Sequence, residues 1–313
     1  MRRSTIRRQR GAALLTAMVI VTLVATLAGA MVWQQWRAVQ VEAAERARLQ
    51  AAWILTGALD WARLILREDA RTGGANGTDN LGEPWAVPLA EARLSTFLAA
   101  DKDNTDDAPD AFLSGAITDA QARYNLRNLF DAAGKVIPGE LSALQRLCDT
   151  AGVSPEVATR QASALGLAST GGSDAPLMPQ TVSQLTWLGL DAQTVTLLAP
   201  YVVLLPTATP VNLNTAGSDV IAAVLSLSTG DAKGFVAARD RAPFKTLDEA
   251  KKSLPEGLAL REQQVAISTR YFEVRGQLRM GDRVLRERSL VVRGNQDVLT
   301  VQRERMSLTD PGS

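Results

Sequence analysis

The sequence contains no histidine and one cysteine among its 313 residues. Without histidine, the commonest zinc ligand and the commonest general base are both absent. The single cysteine, Cys148, cannot form an intramolecular disulfide, and we interpret it as a small buried apolar residue. A G-x-S-x-G motif and a phosphate-binding P-loop are also absent. These absences argue against an enzyme, although the many Asp and Glu residues leave a hydrolase that uses only carboxylates open.

The net charge is small, and the charged residues are unevenly distributed along the chain. The formal net charge is +1, which gives no global basic field of the kind that attracts nucleic acid. Five arginines lie within the first ten residues, whereas the first acidic residue is Glu42. No charged residue occurs from Gly11 to Trp36. The N-terminal region therefore has the charge pattern of a membrane-targeting segment.

The apolar run from Ala12 to Val32 is long enough to cross a membrane as a helix. At about 1.5 Å per residue it covers a hydrocarbon core of about 30 Å. It is longer than the apolar region of a signal peptide, and "AGAMVW" at 28–33 is only a weak competing cleavage site. The arginines place the N-terminus in the cytoplasm. We therefore predict a single-pass inner-membrane protein with its bulk in the periplasm, and Trp33 and Trp36 as interfacial anchors.

The same helix is predicted to continue to about residue 68. No proline precedes Pro84, and apolar residues recur at helical spacing after the membrane run. The alternative is two helices with a break near Gln34–Gln35, where no helix-breaking residue stands. We expect the second half of the helix, with Trp53 and Trp61, to pack on a sheet.

Beyond the helix, strands enclose a helical block. The segments "ARLSTFLAA" and "FLSGAITDA" are predicted strands, and "RYFEVRGQLR" and "RVLRERSLVVRG" form a predicted hairpin around "MGD". The intervening chain, which is predicted to turn helical after "ARYNLRNLF", is punctuated by Gly and Pro, and Trp187 is expected in its core. If the terminal hairpin returns to the first sheet, the helical block is an insertion in an α+β domain.

The stretch "RQRGAALLTAMVIV" resembles the leader of type IV prepilins and pseudopilins. In such leaders a peptidase cuts after the glycine, here between Gly11 and Ala12, and the apolar helix remains as an anchor. The resemblance implies cleavage by prepilin peptidase and N-methylation of Ala12. One departure is Thr16 at position five of the mature chain, where these families carry Glu. In a fibre of such subunits, that Glu is thought to pair with the free N-terminal amine of the neighbouring subunit. A subunit with no neighbour above it has no amine to offer, and an unpaired carboxylate in hydrocarbon is costly, so a neutral residue suits that terminal position.

Four further segments, "EPWAVPL", "ITDAQARYNLRNL", "LTWLGLDAQTVTLLAPYVVLLPTATPVNLNTA" and "FKTLDEA", resemble the general secretion pathway protein K family. The likeness extends over roughly residues 7–294. It implies a minor pseudopilin of type II secretion at the pseudopilus tip, acting in pseudopilus assembly for export of folded proteins. It also implies the minor pseudopilins I and J as partners, and H and the major pseudopilin G as further ones. The implied fold is a long helix on an antiparallel sheet with an inserted all-α domain.

This resemblance divides the chain into seven segments. They are the leader peptide 1–11, the transmembrane helix 12–36, the first part of the pseudopilin domain 37–122, a first SAM-like helical subdomain 123–210, a second one 211–266, the C-terminal hairpin of the sheet 267–294 and a polar, partly unstructured tail 295–313.

Part of the helical block also resembles helix–hairpin–helix modules of competence DNA-binding proteins. Those modules bind phosphate through the backbone of a glycine-rich hairpin. The hairpin position here reads "SLSTGD", where Asp231 directly follows Gly230 and repels phosphate. We therefore interpret the module as a protein-interaction scaffold. A bitopic periplasmic interaction protein that merely shares these modules is the alternative function.

An acidic insert, "DKDNTDDAPD", is a candidate calcium site. Carboxylates at near-alternate positions suit Ca²⁺, and calcium sites are known in the pseudopilin K family. The insert is not an EF-hand, because Asp106 and Phe112 occupy the positions that need Gly and Glu. A simply solvated acidic loop stays open, and we expect no cofactor to be required. The candidate ligands are Asp101, Asp103, Asp106, Asp107 and Asp110.

Overall fold

The computed structural model describes residues 10–72, 77–94, 111–258, 260–281, 283–294 and 297–309. The residues up to Thr56 and those from Gly57 onward form separate compact units. The helices are α1 (Arg10–Thr72), α2 (Pro138–Thr150), α3 (Pro155–Thr170), α4 (Ala192–Leu198), α5 (Ser218–Leu225), α6 (Thr229–Arg241) and α7 (Leu247–Lys252). The strands are β1 (Leu89–Arg93), β2 (Ala111–Asp119), β3 (Tyr124–Asn125), β4 (Val202–Val203), β5 (Val211–Asn212), β6 (Val265–Ala266), β7 (Tyr271–Met280), β8 (Arg283–Arg293) and β9 (Val298–Thr309).

Helix α1 is continuous over 63 residues, so the prediction of one helix is confirmed and no break occurs at Gln34–Gln35. Its sequence lacks proline and is rich in residues with good helix propensity. The threonines of the apolar part hide their hydroxyls within the helix. Thr16 Oγ1 donates to the Ala12 carbonyl at 2.8 Å, and Thr22 Oγ1 to the Met18 carbonyl at 3.0 Å. The apolar segment therefore exposes few unpaired polar groups.

Five strands form one antiparallel sheet in the order β1-β2-β7-β8-β9. Strand β2 pairs with β7 from Ala111↔Met280 to Asp119↔Phe272, although some 150 residues separate these partners in sequence. The predicted return of the terminal hairpin to the first sheet is thus confirmed. The hairpin turn between β7 and β8 contains Gly281, whose φ of +55° is a left-handed conformation that glycine adopts without strain.

The sheet and the second part of α1 share one hydrophobic core. Leu59, Ala62 and Leu66 lie on one face of α1, at the spacing that aligns side chains along a helix. They contact the sheet residues Phe272 and Val291, among others. Trp85 Nε1 donates to Glu83, and the Trp85 ring packs edge-on against Phe272 with centroids 5.1 Å apart.

The segment between β2 and β7 is largely helical and has its own core. One cluster of buried residues extends from Tyr124 to Val265, so both predicted helical halves contribute to it. Two short parallel pairs, β3–β4 and β5–β6, connect distant parts of the insertion. Cys148 is fully buried in this core, as predicted. The finer prediction that the halves are SAM-like stays a prediction.

Three tryptophans that we expected in packed positions are exposed. Trp53 and Trp61 are 75% and 61% exposed, because the sheet-facing positions of α1 are occupied by leucine and alanine. Trp187 is 59% exposed, because the 3-10 helix Val182–Leu188 directs Leu185 into the core instead.

Two strand predictions also need correction. The C-terminal tail was expected to be partly unstructured from residue 295, but β9 occupies Val298–Thr309 and pairs with β8. The polar side chains of β9 suit this place, since Arg303 and Arg305 pair with the buried Glu287 at 3.1 and 2.5 Å. Strand β1 begins before "ARLSTFLAA", and residues 95–100 of that prediction lie outside the described residues. The segment "ARYNLRNLF" itself contains strand β3 and the 3-10 helix Leu126–Leu129, and the α-helices of the insertion follow it, as predicted.

Candidate functional site

The predicted processing site lies at the start of α1. Helix α1 begins at Arg10 and includes both Gly11 and Ala12. From Ala12 to Val32 the helix is exposed along its whole circumference, and it is long and apolar enough to cross a membrane once. The chain thus carries one candidate single-pass anchor. Cleavage after Gly11 and methylation of Ala12 stay predictions.

A tryptophan and an arginine mark the end of the apolar run. The guanidinium of Arg37 lies 5.6 Å from the centroid of the Trp33 ring, within range of a cation–π contact. Trp36 is exposed beside them. An aromatic ring with a cation on it suits the boundary between hydrocarbon and headgroups, where such residues are enriched.

From Gly57 onward, the side of α1 opposite the sheet presents an apolar surface. Gly57, Trp61 and Leu64 follow one another at spacings of four and three residues, and all three are exposed. We call these three residues the outer α1 face. Ion pairs within the helix flank it, between Arg63 and Asp60 at 2.9 Å and between Arg71 and Glu68 at 3.8 Å. The outer α1 face is therefore apolar and bordered by charges that already have partners.

The segments that carried the family resemblance meet where the helical insertion leaves the sheet. Asp119, at the end of β2, is almost fully buried there. Its carboxylate accepts hydrogen bonds from the Thr215 hydroxyl at 2.5 Å, the Asn212 amide at 2.9 Å and the Gln121 backbone N–H at 2.7 Å. Burial raises the pKa of Asp119 to about 6, while these hydrogen bonds oppose the rise. We call this arrangement the junction network.

Asparagines extend the junction network on both sides. The Asn125 amide donates to the Thr207 carbonyl at 2.7 Å, and Asn128 both donates to the Thr209 carbonyl and accepts from its N–H. Asn214 makes the same two-way contact with Phe244, at 2.9 and 3.0 Å. Asparagine suits these positions because one side chain offers both a donor and an acceptor to the backbone. The segments "YNLRNL" and "TPVNLNTA" thus hold the base of the insertion together.

Three carboxylates lie close together beside the junction network, and two of them pair with Arg293. The Arg293 guanidinium donates to Asp69 at 2.6 Å and to Asp79 at 2.5 Å. Glu83 accepts from the Asn80 amide at 2.6 Å and from Trp85 Nε1 at 2.5 Å. These side chains connect the end of α1, the loop that follows it and the end of β8. We call Asp69, Asp79, Glu83 and Arg293 the carboxylate cluster.

Burial governs the protonation of the carboxylate cluster. Desolvation raises the pKa of Asp69 and of Asp79 above the ordinary value, although Arg293 opposes the rise in both. It raises the pKa of Glu83 to about 7. The three carboxyl groups place ligand atoms within 4.8 Å of one another, close enough to share a metal ion. Because Arg293 forms ion pairs with two of them, we interpret the group as an ion-pair cluster.

The structure leaves the predicted calcium ligands untested. Asp101, Asp103, Asp106, Asp107 and Asp110 all lie outside the described residues, so calcium binding there stays a prediction. Sequence reasoning did not find the carboxylate cluster. Its members come from three separate segments, and the only sequence signal was the acidic loop "TDNLGEP".

Comparison with known proteins places these features in a family. The family model for type II secretion system protein K matches residues 211–270, which include most of "TPVNLNTA". The chain is 29% identical over 303 residues to the type II secretion system protein K of Pseudomonas aeruginosa, covering 88% of this chain and 86% of that protein. It is 31% identical over 245 residues to the protein K of Klebsiella pneumoniae, covering 70% of each.

A solved structure has a similar fold. It is the crystal structure of the GspK-GspI-GspJ complex from enterotoxigenic Escherichia coli, matched with a TM-score of 0.62 at 18% identity. The match covers 84% of this chain and 98% of that chain. This match supports the fold. The 31% identity over 70% of the chain shows that this chain belongs to the type II secretion system protein K family, whose members are structural components of a secretion machine rather than enzymes.

Proposed function

We propose that this protein is a minor pseudopilin that caps or initiates the pseudopilus of a type II secretion system, for export of folded proteins across the outer membrane. The observation that carries this proposal is the division of α1. Its first part is exposed and apolar along Ala12–Val32, and from Gly57 onward it packs one face on its own sheet. A subunit built in this way has an anchor before assembly and a free helix surface for neighbours during assembly.

The helical insertion supports a place at the tip. The chain between Asp119 and Tyr271 has a hydrophobic core of its own, separate from the core that the sheet shares with α1. Such a bulky addition obstructs stacking in an array of small subunits that are surrounded on all sides. It is accommodated where one side of the subunit is free. The neutral Thr16, whose hydroxyl is satisfied by the Ala12 carbonyl, also suits a subunit without a neighbour above it.

The partners we propose are the minor pseudopilins I and J. Support comes from the solved relative, whose printed title names GspK in a complex with GspI and GspJ. We extend the proposal to contacts with H and the major pseudopilin G, and to processing by prepilin peptidase at Gly11–Ala12 with methylation of Ala12. We also propose that the leader lies in the cytoplasm and the bulk of the chain in the periplasm, which the arginine-rich N-terminus supports.

Nucleic-acid binding is not part of the proposal. In a helix–hairpin–helix module the glycine lies in the hairpin, but Gly230 lies inside α6. Ser228 caps that helix, and its hydroxyl donates to the Asp231 carboxylate at 2.7 Å. The carboxylate at this helix start occupies the place that a phosphate would need. The alternative of a bitopic interaction protein differs from our proposal in lacking prepilin processing.

Two measurements test the proposed function. Mass spectrometry of the protein from cells with an active prepilin peptidase should find a chain that begins at methylated Ala12. Gly11→Val should leave a precursor that begins at Met1 and stays in the membrane, because the β-branched side chain obstructs the scissile bond. The full chain, co-expressed with I and J and extracted in detergent, should co-purify with both. An unprocessed wild-type chain, or cleavage near Ala30, contradicts the proposal.

A further inference from the structure

We propose that Trp33, Trp36, Arg37 and Gln40 form a binding site for the phosphate of an anionic phospholipid headgroup at the end of the apolar segment of α1. We call these four residues the headgroup site. This inference rests on the proposed function, because it requires that the apolar segment stays in the membrane as an anchor. It adds a lipid ligand to the membrane-bound state that precedes assembly.

The length of the uncharged part of α1 places Arg37 among the headgroups. No charged residue occurs from Gly11 to Trp36, and this stretch is about 39 Å long at the rise of an α-helix. A bilayer is about 40–45 Å thick with its headgroup regions, and its hydrocarbon core is about 30 Å thick. When Ala12–Val32 occupies the hydrocarbon, Arg37 follows the end of the core by little more than one helical turn. Its guanidinium then lies level with the lipid phosphates.

The headgroup site lies on one face of α1. Residues three and four positions apart are neighbours on a helix surface, so Trp33 lies beside Trp36 and Arg37, and Gln40 lies beside both of the latter. All four side chains are exposed, so a ligand reaches them without a change in the fold. The Arg37 guanidinium lies 5.6 Å from the centroid of the Trp33 ring. A guanidinium that stacks on an aromatic ring keeps N–H groups at its edge, and this edge fits two phosphate oxygens at once.

Arg37 has no carboxylate partner in the part of the chain that the structure describes. The nearest acidic residue in sequence is Glu42, and its carboxylate pairs with Arg46 at 2.9 Å. Gln40 offers amide N–H groups as further donors but no charge. The headgroup site therefore carries one uncompensated positive charge, which is complementary to an anionic lipid.

The two tryptophans favour a lipid over an acidic protein segment as the source of the negative charge. Trp33 and Trp36 are about 60% exposed and flank the cation. Indole rings are enriched at the boundary between hydrocarbon and headgroups, where one end of the ring is apolar and the other is hydrated. A cation between two such rings is thus held at the depth of the phosphates.

Lipid binding by the full chain tests this inference. Wild type and variants are purified in a neutral detergent and titrated with dioleoyl phosphatidylglycerol, which is anionic, or with dioleoyl phosphatidylcholine, which has no net charge. Native mass spectrometry counts the bound lipids and gives an apparent Kd for each lipid. The matched control is Arg46→Gln, which changes the net charge by the same amount on the same helix but removes an arginine that Glu42 already pairs.

We expect Arg37→Gln to weaken the binding of phosphatidylglycerol by about fivefold, since one arginine near an anionic membrane surface contributes about that factor. Arg37→Lys should retain part of the binding, because lysine keeps the charge but lacks the planar fork. Trp33→Leu should weaken binding by loss of the ring on which Arg37 stacks. Arg46→Gln should leave binding unchanged. Thermal melting of every variant should match that of wild type, because the substituted side chains are exposed.

The outcomes separate this inference from the proposed function. If the natural chain is cleaved near Ala30, the anchor is lost and the proposed function fails. If the anchor is retained and Arg37→Gln binds phosphatidylglycerol as tightly as wild type, this inference is overturned while the proposed function stands. Equal binding of the two lipids by wild type, or an equal loss in Arg37→Gln and Arg46→Gln, also overturns it.

Two further arms identify the source of the negative charge. If inorganic phosphate displaces phosphatidylglycerol at equal concentration, the site binds free phosphate and the assignment to a lipid is overturned. If Arg37→Gln leaves lipid binding intact but prevents co-purification with the minor pseudopilins I and J, Arg37 meets a carboxylate of a neighbouring subunit. That result overturns the inference as well.

Discussion

Thr215→Val tests the junction network most directly. The substitution keeps the shape of the side chain and removes the hydroxyl that donates to Asp119 at 2.5 Å. Both residues are buried, so water cannot replace the lost donor. A hydrogen bond to a charged group contributes about 1.5–3 kcal/mol. We therefore expect the free energy of unfolding to fall by about 2 kcal/mol at neutral pH.

The effect should also depend on pH in a defined direction. The pKa of Asp119 is about 6 in the folded protein against an ordinary value of 3.8. This difference corresponds to a change of about 3 kcal/mol in the free energy of unfolding between low and high pH. Because the folded-state pKa is raised, the stability linked to this group is present at low pH and is lost as the pH rises through 6. The Thr215 hydroxyl is the largest influence that lowers this pKa. Removing it should raise the pKa further and make the variant lose more stability at pH 8 than at pH 5.

Urea denaturation at these two pH values measures both effects. The control is Thr196→Val in α4, where the Thr196 hydroxyl donates to the Ala192 carbonyl at 2.8 Å on the exposed surface. This control should change the free energy of unfolding by less than about 0.5 kcal/mol at either pH. If Thr215→Val destabilises no more than the control, or equally at both pH values, Asp119 does not depend on this hydroxyl and the reasoning is refuted.

Three further predictions use the same comparison of stabilities. Leu66→Ala, at a fully buried position of α1, should lower the free energy of unfolding in urea denaturation by about 3 kcal/mol. Leu64→Ala on the outer α1 face should lower it by less than about 1 kcal/mol. Equal losses would contradict the assignment of the two faces. Since burial raises the pKa of Glu83 to about 7, the melting temperature should fall as the pH rises from 5.5 to 8. Glu83→Gln should reduce this dependence of the melting temperature on pH. An unchanged dependence would show that Glu83 is not the titrating group. Ca²⁺ should raise the melting temperature of the full chain. It should not raise that of a variant in which all five predicted calcium aspartates are replaced by asparagine. An equal response of both proteins would show that the ion binds elsewhere.

The course of α1 was predictable because local rules determine it. The chain from Arg10 to Thr72 has no proline and few glycines, and both its apolar part and its amphipathic part favour a helix. The hairpin of β7 and β8 was equally predictable, since two segments rich in residues that favour strands flank a turn that contains Gly281. Each of these predictions depends on residues that are close in sequence.

The face of α1 that meets the sheet was not predictable, because both faces are apolar. Leu59, Ala62 and Leu66 lie on one side, and Trp61 and Leu64 on the other. Periodicity alone identifies both stripes and cannot choose between them. The tryptophans are the larger side chains, which favoured the wrong side. The face with leucine and alanine packs on the sheet because its side chains are smaller than tryptophan and permit α1 to lie closer to the strands.

Strand β9 and the junction network were missed for a different reason. The segment "VQRERM" reads as a solvated tail, because nothing in it shows that Glu287 on a neighbouring strand is buried and needs both Arg303 and Arg305. Asp119 and Thr215 are 96 residues apart, so their contact leaves no local pattern. A polar residue is buried only where a hydrogen-bond partner is available, and distant partners of this kind are identified only from the folded structure.

The junction network and the outer α1 face should respond to substitution in opposite ways. The hydroxyl of Thr215 and the amides around it are buried and satisfied within the chain, so their loss should lower stability and leave partner binding intact in the molecules that remain folded. On the outer α1 face Trp61 is 61% exposed, so Trp61→Ala should leave stability nearly intact and should weaken partner binding if the proposed function holds. A variant of either kind that changed both properties equally would show that the base of the insertion and the partner surface are coupled. Complete separation of the two effects would instead locate assembly on the helix surface and show that the polar segments of the junction network serve the stability of the insertion.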